Sequence, residues 1–185
     1  MPDETLVRHC SPTLAGLKTG SLFTARFATR EELYAEMRRL NRRLSGRGVQ
    51  ILPVRYRGET ALLYLYRPAR LQRDLSCAEA REILEGLGYA VASPGRCLAR
   101  LVQKFGETEC FPHEVGLFLS YPPEDVRGFM ENRAANYKCV GCWKVYGDAE
   151  QAQKTFRRYE KCTRVYCEQH AKGKPMEQLI VAVGQ

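Results

Sequence analysis

Cys10 is the residue whose type and surroundings carry the most chemistry. The stretch Cys10-Ser-Pro-Thr-Leu-Ala-Gly-Leu-Lys18 reads as a loop entering a short helix, with Ser11 as N-cap and Pro12 at the first helical position. A thiol just outside a helix N-terminus has its thiolate stabilised by unpaired N–H groups and by the helix dipole. Cys10 would then be a nucleophile or a redox thiol. The same N–H groups, with Ser11, Thr13 and Lys18 around them, would equally hold a carboxylate or a phosphate. His9 is a poor base for Cys10, because neighbouring side chains on an extended chain point apart. His113 is the better partner and would serve as acid/base, since nucleophilic thiols commonly pair with a distant histidine. The plainer alternative is a cysteine packed in the core and a histidine capping a helix end.

Phe111-Pro-His-Glu114 opens a helical turn in which the side chains of His113 and Glu114 project about 100° apart, so they would take separate roles. Three and four residues beyond His113 stand Gly116 and Leu117, neither of which can ligate a metal. Further on, Tyr137-Lys138 and Trp143-Lys144-Val-Tyr146 interleave aromatic and basic groups. Read as one strand, Lys138, Lys144 and Tyr146 share a face, and Tyr137, Cys139 and Trp143 share the other. That layout suits a nucleobase or a planar anionic ligand; the alternative is an amphipathic edge strand protected by lysines. Cys139-Val-Gly-Cys142 has the C-x-x-C spacing of a zinc knuckle, which needs two more ligands. On a continuous helix Cys162 and Cys167 project about 140° apart and do not chelate together. Cys167 with His170 is better matched. A redox C-x-x-C expects a strand-to-helix junction, which this segment lacks. Buried thiols are the default, and no metal site is assigned.

These groups need a scaffold. Ser21–Phe27 reads as a strand. Thr29 with Glu32 forms a capping box, and Leu33, Met37, Leu40 and Leu44 follow at helical spacing, predicting an amphipathic helix over 30–45. Val49–Tyr56 and Thr60–Tyr66 flank Arg57-Gly58-Glu59 as a β-hairpin. Ser76 with Glu79 forms a second capping box, and Ser93-Pro94 opens a helix with Cys97, Leu98, Leu101, Val102 and Phe105 on one stripe. Short helices are expected from Pro112 to Ser120 and after Pro122-Pro123, a strand over Tyr137–Tyr146, a long helix over 149–170, and a final strand over Glu177–Val183. On the long helix Ala152, Phe156, Tyr159, Thr163, Tyr166 and His170 form the packing stripe, and basic residues fill the rest. Helices alternating with a few paired strands argue for an α+β fold, a small mostly antiparallel sheet packed by helices.

The 185 residues suit a single domain, 1–185, and the 44% hydrophobic and 27% charged fractions exclude disorder, collagen and coiled coil. No apolar run approaches a membrane span, and no secretory leader is visible, so a cytoplasmic protein with no membrane partner is expected. Eight cysteines in such a setting are buried apolar groups, metal ligands or reactive thiols rather than disulfides. The net charge is +8, and residues 29–74 hold eleven Arg against five acids. A field of that sign attracts nucleic acid or anionic ligands; a solvated face in an Arg-rich chain accounts for it equally.

Three stretches together resemble a known family. They are His9-Cys10-Ser-Pro-Thr-Leu-Ala-Gly-Leu-Lys18, Phe111-Pro-His-Glu-Val-Gly-Leu-Phe-Leu-Ser-Tyr-Pro-Pro-Glu-Asp-Val-Arg-Gly-Phe129, and Asn136-Tyr-Lys-Cys-Val-Gly-Cys-Trp-Lys-Val-Tyr146. The chain resembles, over almost its whole length, the bacterial domain-of-unknown-function 3793 family. That resemblance supplies no catalytic residue and no cofactor. It implies that the three segments share one site or one core, which adds Tyr121 to Lys138, Trp143, Lys144 and Tyr146 as ligand-binding candidates. The combined expectation is a small-molecule enzyme or binding protein for an anionic ligand, with Cys10, His113 and Glu114 as catalytic candidates. The alternatives are a nucleic-acid-binding module using the Arg-rich 29–74 segment and a non-catalytic accessory protein. No motif specifies a cofactor or an oligomeric state.

Overall fold

The computed structural model describes residues 1–107 and 111–182. Val183, the end of the expected terminal strand, lies outside them. Along the chain the elements are α1 (Asp3–Leu14), β1 (Gly20–Arg26), α2 (Arg30–Leu44), β2 (Gln50–Arg57), β3 (Thr60–Tyr66), α3 (Pro68–Leu75), α4 (Ala78–Gly86), α5 (Pro94–Glu107), α6 (Val115–Phe118), α7 (Pro123–Glu131), β4 (Cys139–Val140), β5 (Lys144–Val145), α8 (Ala149–Ala171) and α9 (Met176–Leu179). The fold is α+β. The chain divides into two compact units, Met1–Arg70 with Lys161–Gln185, and Leu71–Glu160. No helix among the described residues is long and apolar enough to cross a membrane.

In the first unit β3 lies between β1 and β2, and both pairings are antiparallel. Pro53 has no N–H for the ladder, and the register shifts there, so that Arg55 pairs with Leu62 and Tyr56 with Ala61. Alternate residues Ala61, Leu63 and Leu65 of β3 enter a buried cluster. Helix α2 presents Leu33, Met37, Leu40 and Leu44 to that cluster, the spacing visible in the sequence. Its capping box forms: the Glu32 N–H donates to Thr29 Oγ1 at 3.1 Å, and the Glu32 carboxylate accepts from the Ala28 N–H at 2.8 Å.

Two sequence expectations in this unit are corrected. Helix α1 begins at Asp3, with Asp3 and Glu4 in its first turn, and runs through Pro12 rather than starting there. Leu6, Val7, Cys10 and Leu14 form its buried stripe, and the Ser11 hydroxyl donates to the Val7 carbonyl one turn back instead of capping a helix start. Among the described residues the tail, up to 182, forms no strand. α9 forms after Pro175, and the chain beyond it is extended, with the Val181 N–H donating to the Leu14 carbonyl at 3.0 Å.

Surface ion pairs in this unit make stability depend on acidity. The Arg39 guanidinium bonds both oxygens of Glu36 at 2.7 Å and is the main reason that carboxyl titrates at about 2 rather than at the ordinary 4.5. A depressed carboxyl contributes stability that is complete above the unfolded value and disappears as pH falls through the folded one. Between pH 4.5 and about 2 the wild type is therefore expected to lose more stability than Glu36→Gln, and thermal melts of both proteins across that range check it.

The second unit is built from short helices around Leu84, Leu101, Phe105, Phe118 and Val126. The Ser93 hydroxyl accepts from Arg96 N–H at 3.5 Å at the start of α5, and Glu124 and Asp125 occupy the first turn of α7, both as the sequence suggests. Other boundaries differ. The Ser76 hydroxyl donates back to Gln72 O at 2.6 Å, closing α3, so Cys77 rather than Ser76 precedes α4. The helix expected over 112–120 shrinks to α6. The strand expected over 137–146 is a hairpin of two short strands, pairing Cys139 with Val145 and Val140 with Lys144. It reverses at Gly141, where a Cβ would lie 2.3 Å from the Phe156 ring, closer than any side chain tolerates. The face-sharing rule for one strand therefore does not apply to Lys138, Lys144 and Tyr146. α8 follows, its start capped by Asp148, whose carboxylate accepts the Gln151 N–H at 3.0 Å.

Candidate functional site

The first unit does not support the thiol chemistry suggested by the sequence. Cys10 lies in the middle of α1, where the helix N–H groups are already bonded, and it is fully buried in the core cluster. Burial drives its pKa far above the usual thiol range, outweighing the nearby charge of Lys18 and a hydrogen bond with Ser21. His9 stacks on Phe23 with ring centroids 5.6 Å apart. Ser11 is bonded to Val7, and Thr13 shares a buried hydrogen bond with Ser21 at 2.9 Å. Lys18 is half-buried and bears on Cys10 only through its charge. In this setting Cys10 acts as a small apolar group.

The unit also holds a group the sequence reading counted only as part of a positive field. Arg67 is buried, and its guanidinium donates to Thr13 O at 2.6 Å, Leu14 O at 2.5 Å and Val181 O at 2.8 Å. Two of these are carbonyls from the last turn of α1, which have no partner within the helix. Here a cation satisfies the negative end of a helix.

The second unit gathers several of the expected residues. Glu114 is buried and accepts from Tyr89 O–H at 2.9 Å and Lys104 Nζ at 2.6 Å. Burial works to raise its pKa, but the bonds from Lys104, its own backbone and Tyr89 hold it below the ordinary carboxyl value. Glu114 thereby ties α5 to the segment leading into α6 through its bond from Lys104. Its neighbour His113 is exposed, and its ring meets the edge of Phe129 at 4.9 Å between centroids.

Phe129 is where the candidates meet. The Lys144 ammonium lies 5.9 Å from the Phe129 ring centre and 4.6 Å from that of Tyr137, whose side chain is exposed. It donates one hydrogen bond, to Ala134 O at 2.7 Å, and has no acidic partner among the described residues. The loop it holds is strained, with Arg133, Ala134 and Asn136 at φ of 49°, 64° and 58°. Tyr146 packs against α7 so closely that a Cβ on Gly128 would lie 2.5 Å from its ring. The Tyr146 hydroxyl is buried with no hydrogen-bond partner among the described residues.

Asp125 sets this geometry. Its buried carboxylate accepts from Trp143 Nε1 at 2.7 Å, Tyr146 N–H at 2.7 Å and Gly147 N–H at 2.8 Å, pinning the hairpin strand β5 to α7. Three of the remaining candidates have structural duties. Trp143 is buried, stacked on Tyr121 at 4.8 Å and edge-on to Phe156 at 4.5 Å. Tyr121 O–H donates to Cys142 O at 3.1 Å, and burial pushes its pKa up to about 12. Lys138 Nζ donates to Gly147 O at 2.7 Å. His113 and Lys144 thus meet at Phe129 and Tyr146 packs on the adjoining Gly128, whereas Cys10, Ser11 and Thr13 lie in the other unit's core. Sequence reasoning missed Asp125, Phe129 and Arg67. Among the described residues no three His, Cys, Asp or Glu side chains group closely enough to hold a metal.

Comparison with known proteins agrees with the resemblance. A family model described as "Protein of unknown function (DUF3793)" matches residues 6–180, and the chain belongs to that family. No curated protein and no solved structure matches it.

Proposed function

We propose that this member of the family binds a small anionic ligand carrying a planar ring, on the face formed by His113, Phe129, Tyr137, Lys144 and Tyr146. The carrying observation is the Lys144 ammonium, beside two aromatic rings with a single carbonyl bond and no carboxylate partner among the described residues. An ammonium offers three donors, so two remain for an oxyanion. An exposed imidazole and an exposed phenol ring beside it offer a hydrogen-bonding group and a stacking surface. The strained loop supports the same reading, since left-handed backbone at non-glycine residues tends to collect at ligand sites. The reading involves no covalent step and gives Cys10 no part.

Adenosine monophosphate, a planar base joined to a phosphate, is a suitable probe. Trp143, the single tryptophan, adjoins Lys144 and reports on the hairpin. Titration of the wild type with the nucleotide is expected to change its emission saturably, and Lys144→Met to weaken binding at least about tenfold, the loss of one charged hydrogen bond. Lys144→Arg, which keeps the charge, is expected to retain most of the affinity. Equal binding by the wild type and Lys144→Met would refute the proposal.

A further inference from the structure

We propose that the solvent face of α2 is a docking surface for single-stranded nucleic acid, built wholly within the first unit and independent of the Lys144 face. α2 carries five arginines, and the helix sorts them by side. Arg39 bonds Glu36, and Arg43 bonds Asp3 and Glu177. Arg30, Arg38 and Arg42 are exposed and have no ion-pair or hydrogen-bond partner among the described residues. With Tyr34 they form a row at every fourth residue, within an arc of about 120° and along about 18 Å of the helix. Side chains four apart adjoin, so Tyr34, which is 49% exposed, has Arg30 on one side and Arg38 on the other. Asn41 lies in the same arc, where its side chain donates to Ile51 O at 2.8 Å and accepts from Ile51 N–H at 2.9 Å, and this sets the row beside β2. Arg30 also lies 5.8 Å from the ring centre of Tyr56 on β2. The one acid in the arc is Glu31, exposed in the first turn of the helix.

The make-up of this face selects the partner. Unpaired guanidiniums spaced along a helix suit the repeating charge of a phosphodiester chain. An exposed ring among them offers a platform for an unpaired base, since every base has a face to stack. A duplex keeps those faces in its own stack and would leave Tyr34 without a role. A helix that lies in a membrane surface sets several bulky apolar side chains beside its cations, and a protein contact needs an apolar centre. On α2 the one exposed large apolar residue is Tyr34, flanked by cations. RNA and DNA share the phosphodiester and the stacking base, so both strands enter the test.

Charge and stacking leave separate signatures. Neutralising three phosphates on a single strand gives a log–log salt slope of about −2.1, or about 18-fold weaker binding at roughly 200 mM salt than at roughly 50 mM. The experiment follows the fluorescence anisotropy of labelled oligothymidylate and oligouridylate, each of about ten nucleotides, mixed with the full chain across that range. Binding of either strand supports the proposal, and the tighter of the two identifies the sugar. The variant R30Q/R38Q/R42Q is expected to bring the slope close to zero. R30K/R38K/R42K keeps the charge and is expected to keep the slope, which separates charge from misfolding. Y34A is expected to weaken binding about tenfold at every salt concentration with the slope unchanged, and Y34F, which keeps the ring, to retain the affinity. Arg55 and Arg57 pair with Leu62 and Thr60, on the face of the sheet opposite Tyr56 and Ala61, and R55Q/R57Q is expected to keep the slope. The proposal is overturned if the wild type binds neither strand, if the glutamine variant retains the slope, if Y34A binds like the wild type, or if R55Q/R57Q removes the slope. Binding to phosphatidylserine vesicles but to neither strand would also overturn it.

Discussion

Arg67→Met is expected to lower the unfolding free energy by about 4 kcal/mol, measured by urea denaturation followed by circular dichroism, because it strips donors from three carbonyls at once. Thr13 O and Leu14 O end α1 and have no partner inside the helix; Val181 O belongs to the extended chain after α9. Each buried acceptor left unpaired costs about 1–3 kcal/mol. Thr13 O would keep its bond from Gly16 N–H and Leu14 O its bond from Val181 N–H, which holds the total near the lower end of the summed range. The planar fork is central, since one guanidinium reaches all three oxygens. Arg67→Lys preserves the charge but not the fork, and is expected to fall between wild type and Met. A loss under about 1 kcal/mol for Arg67→Met would contradict this account of how α1 is terminated.

Replacing Asp125 is expected to cost about as much and to remove the ligand site as well. Its carboxylate serves Trp143 Nε1 and the N–H groups of Tyr146 and Gly147, and it lies in the first turn of α7, where the helix dipole favours a negative charge. Asp125→Ala leaves all three donors unsatisfied. Asp125→Asn sets an NH2 group against at least one of them, so an isosteric change is not a mild one. Both variants are expected to lose on the order of 3–5 kcal/mol, the range for breaking a buried charged network. Trp143 emission in the remaining folded protein would shift to longer wavelength as the indole loses its partner and gains water. Because β5 carries Lys144 and Tyr146, nucleotide binding should fall even where the protein is still folded. Stability near that of the wild type in Asp125→Asn would show that the hairpin is held by other contacts.

The sequence made α2 and the β2–β3 hairpin legible because their signals are local. A capping box and a four-residue apolar repeat suffice for α2, and a Gly-Glu turn between two β-rich runs suffices for the hairpin. Helix α1 was obscured by Pro12. Proline is such a strong mark of a helix start that it masks the apolar spacing of Leu6, Val7, Cys10 and Leu14, and the thiol reading of Cys10 depends on the boundary it suggests. The 137–146 hairpin was obscured for the opposite reason. Read as one strand, the segment gives Gly141 no turn to make, whereas it marks the close approach of Phe156, a residue on another element. Arg67 and Asp125 could not be identified from neighbours in sequence at all. The partners of Asp125 lie 18 to 22 residues away and those of Arg67 53 to 114, and composition counts both simply as charges. His113, Lys144 and Tyr146 stand out as types that carry chemistry, but Phe129, on which the first two converge, reads in sequence as ordinary helix packing.

The chain has three histidines, and they report on different places. His9 stacks on Phe23 one residue before Cys10, His170 lies beside Lys174 O at 3.0 Å, and His113 adjoins Phe129. Proton NMR of the imidazole rings during titration with adenosine monophosphate therefore locates the binding face directly. Saturable movement of the His113 resonances, with His9 and His170 unmoved, is the outcome expected if the ligand binds beside Lys144. Movement of His9 would return the chemistry to the neighbourhood of Cys10, and three stationary histidines would remove the ligand site from this face.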